Sequence, residues 1–184
     1  MLERVRNALE ERANGKTIGA VAIAFLLFAA GILPRIQAAM KAESGGVGPI
    51  DLRLRYTPDE AYRMIEAYGE HGRRRYALVE STVDVAYPLT YATLIALVFT
   101  YGSRRAYRHD HPLNKASLLP YGVMLVDYVE NVGIVTMLLR YPARYPMLAR
   151  LTSVVTLLKW ISFGVSMALT VVTLGIAGKN RLHK

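Results

Sequence analysis

The sequence predicts an all-α membrane protein, a bundle of four transmembrane helices with one short extramembrane helix, and three observations predict it. Of the 184 residues, 53% are hydrophobic, and they come in blocks rather than at an amphipathic period. Four blocks, 17–33, 76–101, 116–139 and 151–177, approach or exceed the roughly 20 residues a helix needs to cross a hydrocarbon core about 30 Å thick. Lys and Arg gather at the block ends, where they act as membrane-edge anchors, so the formal charge of +9 is a topology signal and not the footprint of a nucleic-acid partner. Without cysteine there is no disulfide, thiolate zinc site or cysteine nucleophile.

Residues 1–16 read as a basic leader at the membrane surface. The first block has no ionisable residue, and Gly19, Gly31 and its alanines suit close helix packing. It reads as a span and not as the core of a signal peptide, because Glu3, Glu10 and Glu11 interrupt the basic leader and residues 37–42 make a poor cleavage site. Pro34 is expected to end it. The segment 35–75 is then the one sizeable aqueous part. Residues 50–56 alternate, so an extended strip is expected, with Asp51, Arg53 and Arg55 on one side and Leu52, Leu54 and Tyr56 on the other. Thr57-Pro58-Asp59-Glu60 signals a helix start, with Thr57 as N-cap, Pro58 at the first position and Glu60 closing a capping box. The short helix runs over 58–68 and stops at Gly69.

In the second block Tyr76, Glu80, Asp84, Tyr87 and Tyr91 step by three or four residues and form one polar stripe. Pro88 cannot donate to the carbonyl four residues back, which releases the backbone oxygen of Asp84 beside its own carboxylate. His109-Asp110-His111, in the loop 102–115, reads as solvated loop rather than a metal clip. The third block contains Asp127, Glu130 and Asn131 on one helical face. The fourth carries one charge, Lys159, beside Trp160. An even number of spans puts both termini on one side. Each side carries eleven Lys and Arg, but on the termini side they are packed closer to the spans, so the termini are expected in the cytoplasm of a cell-membrane protein and the loop 35–75 outside.

A carboxylate near the centre of a bilayer costs about 2.5 to 3.5 kcal/mol on insertion scales and persists only with a partner, a proton or water. Counted inward from the outer ends of their blocks at 1.5 Å per residue, Asp84, Glu130, Asn131 and Lys159 fall roughly 12 to 15 Å deep, in one layer. Glu80 lies above it and Asp127 below. With these two, four acids lie in or beside the layer with one lysine. Protonation, a divalent cation, a cationic ligand or an arginine of 73–75 reaching down are the candidates to balance them. Lys159 is expected to turn inward to Glu130 or Asp84.

The motifs Asp51-x-Arg53-x-x-Tyr56, Tyr56-Thr57-Pro58-x-Glu60, Gly69-x-x-Gly72-Arg73, Asp84-x-x-x-Pro88-x-x-Tyr91, Asp127-x-x-Glu130-Asn131 and Lys159-Trp160 resemble those of small four-span bacterial integral membrane proteins of no known activity. The resemblance covers about 49–159 and implies the four-span topology alone. From the residues, the expected function is to bind or act on a membrane lipid or other amphiphile. Its site is Glu80, Asp84, Tyr87, Tyr91, Asp127, Glu130, Asn131 and Lys159. An ion- or proton-coupled transport module and a structural or assembly subunit are the alternatives.

Overall fold

A computed structural model describes residues 2–182 of the chain. It is all-helical, and no strand occurs among the described residues. The elements are α1 (Leu2–Arg12), α2 (Gly15–Leu26), a π-helical segment (Leu27–Ile32), α3 (Leu33–Glu43), α4 (Pro58–Ala67), α5 (Gly69–Ser81), α6 (Val83–Ala106), a 3₁₀ segment (Pro112–Leu118), α7 (Leu119–Arg140) and α8 (Pro146–Leu182). Joined end to end they make four helices long and apolar enough to cross a membrane, Gly15–Glu43, Gly69–Ala106, Pro112–Arg140 and Pro146–Leu182. This is a multi-pass membrane protein of the four-helix-bundle class. Ile23, Leu89, Val132, Leu151 and Ile161 are among many large apolar side chains left exposed. Such a surface suits lipid rather than water.

The first long helix does not end at Pro34. It passes through the wider π turns of Leu27–Ile32 and continues to Glu43. Pro34 falls in the first turn of α3, where a missing N–H is least felt, and Arg35 Nη1 donates to the Gly31 carbonyl at 2.8 Å. Helix α4 begins as the sequence reads. The Thr57 hydroxyl accepts from Glu60 N–H at 3.2 Å, and Glu60 Oε2 accepts from Thr57 N–H at 2.7 Å. These bonds hold the Glu60 carboxyl below its ordinary range. Gly69 follows with φ of +63°, a conformation that glycine adopts without strain, and α5 starts there.

Residues 50–56 are not an extended strip. They turn, with Arg53 N–H bonded to the Ile50 carbonyl at 3.0 Å. Ile50 and Tyr56 are buried, while Leu52 and Leu54 are exposed. Hydrogen bonds to side chains elsewhere override the local alternation. Ile50 N–H donates to the Tyr76 hydroxyl at 3.0 Å, Tyr56 N–H donates to Ser153 Oγ at 3.0 Å, and Tyr68 donates to the Gly48 carbonyl at 2.8 Å.

The chain divides into two compact units. One comprises Met1–Phe25, Leu89–Met124 and Ile161–Lys184, the other Leu26–Pro88 and Leu125–Trp160. The first has a small apolar core around Leu9, Ala13, Ala96 and Leu97. The second has a larger one, in which Ile50, Tyr56 and the buried face of α4 (Ala61, Tyr62, Met64, Ile65) pack with Tyr76, Ile134, Met137 and Leu138. In that unit a Cβ on Gly133 would come within 2.2 Å of Thr152 Oγ1, so α7 and α8 approach as closely as a glycine permits.

Candidate intramembrane polar site

The polar residues of the second unit assemble around Lys159. This side chain is 8% exposed and turns inward, pairing with Glu130 and, at 3.4 Å, with Asp127. Its Nζ also reaches the main-chain oxygen of Asp51 at 3.5 Å and lies 5.5 Å from the Trp160 ring centroid. Glu130, fully buried, accepts a second bond from the Thr156 hydroxyl at 2.6 Å. The ion pair thus has the additional hydrogen bonds that burial of charge demands. Glu130 is one of the two expected partners. The other place is taken by Asp127, one turn along α7, and not by Asp84.

Asp84 has a different neighbour. The carbonyl that Pro88 leaves without a helical donor is taken by Asn131 Nδ2 at 3.0 Å, and the same nitrogen lies 3.1 Å from Asp84 Oδ2 and 3.5 Å from the Glu80 carbonyl. Three acceptor oxygens around one atom identify it as the amide nitrogen. A second carbonyl of this stretch, that of Val85, accepts from the Tyr128 hydroxyl at 2.8 Å. The proline kink is thereby satisfied from α7.

Glu80 is 2% exposed, and its Oε2 is buried with no hydrogen-bond partner. One turn earlier, Tyr76 donates to Asp51 Oδ1 and accepts from Ile50 N–H, tying the loop to α5. Burial pushes the Tyr56 and Tyr68 hydroxyls above the ordinary phenol range, so both remain protonated at neutral pH.

The structure therefore brings together Glu80, Asp84, Asp127, Glu130, Asn131 and Lys159 within one compact unit. Tyr87 belongs to that unit and packs against Phe28, ring centroids 6.1 Å apart. Tyr91 falls in the other unit, edge-on to Phe163 at 5.6 Å. No arginine of 73–75 reaches down. Arg73 lies over the Tyr141 ring, Arg74 pairs with Glu70 and Arg75 with Glu43. No three His, Asp or Glu side chains converge to hold a metal among the described residues. His111 instead caps the 3₁₀ segment and stacks on Tyr107.

Sequence reasoning left Asp51, Tyr56, Tyr76, Ser153 and Thr156 out of the site. Asp51 and Tyr76 carried a signal, the first in a charged loop motif and the second at the head of the polar stripe. Of the two hydroxyls on α8, Thr156 marked the face of Lys159 as interior, whereas Ser153 carried no signal, because serine and threonine are common in apolar helices, where they bond to their own backbone. Compared with family profiles, curated proteins and solved structures, the chain matches none.

Proposed function

We propose that this membrane protein binds an amphiphile, a lipid or lipid-like molecule, at the acid layer of the Leu26–Pro88 and Leu125–Trp160 unit. One observation carries the reading. Lys159 is the only buried cation among the described residues and is shared by Asp127 and Glu130, while Oε2 of the buried Glu80 has no hydrogen-bond partner. A purely structural network would match its acids, since an unpaired buried charge is expensive. A site awaiting a polar or cationic group has reason to carry the surplus. The closer packing of Lys and Arg at the span ends on the termini side favours cytoplasmic termini, an orientation that would put the layer in the outer leaflet.

Native mass spectrometry of the detergent-extracted protein tests the reading. Wild type is expected to release a bound amphiphile, and Asp84→Asn, which keeps an oxygen for Asn131 but loses the charge, is expected to fold and arrive without it. Equal occupancy in both, or no bound molecule in either, sinks the proposal. A cytoplasm-active reporter inserted after His109 is expected to be active and one after Gly46 silent. The reverse would move the site to the inner leaflet.

A further inference from the structure

Beside Glu80 lies a cleft of about 280 Å³, walled by α5 and α6 on one side and α7 on the other. Its mouth is apolar. Val85 is 44% and Val132 68% exposed, and Val135 and Tyr128 continue the lining. Glu80 and Asn131 also line it. Each has a buried oxygen without a hydrogen-bond partner, Oε2 of Glu80 and Oδ1 of Asn131. The Asn131 oxygen accepts, because its nitrogen is committed to the Asp84 and Glu80 carbonyls, and Glu80 Oε2 accepts as an oxygen of an ionised carboxylate. A molecule that completes this cleft must therefore supply N–H or O–H donors. It must do so beside a carboxylate that forms no ion pair among the described residues, the buried cation Lys159 being engaged by Asp127 and Glu130. Its remainder must be apolar, to lie along Val85 and Val132.

Those requirements name a class. Resting on the amphiphile reading above, we infer that the cleft takes the head of a long-chain primary ammonium, with Glu80 and Asn131 accepting its N–H groups and the chain leaving past Val85 and Val132. A trimethylammonium head has the charge without the donors, and an alcohol has a single donor without the charge. The volume fits a small head and a few methylenes, near the lower end of small-molecule sites, so most of the chain stays in lipid.

Photolabelling tests this on the full chain in nanodiscs of zwitterionic lipid. Three probes share one twelve-carbon chain bearing a diazirine and end in ammonium, trimethylammonium or hydroxyl. The ammonium probe is expected to label the peptides containing Val85 and Val132, about ten- to a hundredfold above the other two, the scale of losing a hydrogen bond to a charged group. Glu80→Gln is expected to lower the ammonium label by a similar factor. Val132→Trp, a change on an exposed position, is expected to block the mouth and remove it. Equal labelling by ammonium and trimethylammonium overturns the inference, and so does undiminished labelling in the variants. Should Glu80→Gln fail to fold, the head-group comparison on wild type and the Val132→Trp result still decide. If the ammonium probe fails while an Asp84-dependent amphiphile is found by mass spectrometry, the inference falls and the broader reading stands. If that molecule is missing too, both fall.

Discussion

In the unit of Met1–Phe25, Leu89–Met124 and Ile161–Lys184, several buried hydroxyls satisfy themselves within a turn of their own helix. Thr100 bonds to the Ala96 carbonyl, Ser103 to that of Thr100 and Thr170 to that of Ser166. In the unit of Leu26–Pro88 and Leu125–Trp160, the buried polar groups include Glu80, Asp127, Glu130, Asn131 and Lys159, and those that are partnered look to other segments for it. A hydroxyl bonded to its own helix can be changed without leaving a neighbour stranded. A buried carboxylate whose only cation is shared cannot. The first interior is therefore expected to respond to mutation additively, the second as a coupled network.

The largest break in that contrast is expected at Lys159. Lys159→Met should destabilise by about 3 to 5 kcal/mol, because Asp127 and Glu130 lose their shared cation. Adding Glu130→Gln should recover part of the loss, with coupling of about 0.5 to 3 kcal/mol in a double-mutant cycle of detergent unfolding. The same cycle on Thr100→Val and Thr170→Val in the other unit should show none. Additive behaviour of Lys159 and Glu130 would remove the distinction between the units.

The glycines sharpen it sterically. Gly133→Ala places a methyl against Thr152, a β-branched side chain held by its bond to Leu148, and should cost about 1 to 3 kcal/mol. Gly102→Ala meets Leu174 Cδ2 at 2.9 Å, the far end of a flexible side chain, and should cost clearly less. Comparable melting shifts would show that packing is equally rigid in both units.

Asn131→Leu comes next. It keeps the branched outline but deprives the Asp84 carbonyl of its donor, and about 1 to 2 kcal/mol should follow, at the upper end for interhelical hydrogen bonds in membranes. Tyr107→Phe, which removes the bond to Thr173 in the other unit, should cost about 0.6 kcal/mol. The smallest effect concerns Glu60. Its lowered folded pKa means that its capping contribution is present above the ordinary carboxylate range and fades as pH falls through the folded value, below 4.5. Protection factors for hydrogen exchange in the first turn of α4, taken relative to the unfolded-chain rate at each pH, should fall on acidification, and Glu60→Ala should remove that dependence.

The helical class, the four apolar stretches and the start of α4 were legible because each rests on local signals, block length and a capping box. The inward turn of Lys159 and the fate of the Asp84 carbonyl were half legible. The chain showed that a carbonyl is released by Pro88, but only the packing of α7 shows that Asn131 collects it. The turn at 50–56 was not legible, since its partners Tyr76 and Ser153 lie 26 and 97 residues away. Nor was the passage of the first helix through Pro34, which depends on the π segment before it. Tyr91 was read into the stripe from periodicity alone, which does not say where the chain's contacts divide.

The separations along the chain also set an order of assembly. Thr156 meets Glu130 across 26 residues, whereas Tyr56 reaches Ser153 across 97 and Lys159 reaches the Asp51 carbonyl across 108. Short loops close at lower entropic cost, so the α7–α8 hairpin is predicted to form first and the 44–57 loop to dock last, onto a lysine already paired. Because the chain has no cysteine, a single one introduced at Ile50 reports that step directly. During refolding into lipid it should remain open to a water-soluble thiol reagent after one introduced at Met137 has become protected, and simultaneous protection of the two would show that docking and hairpin formation are one event.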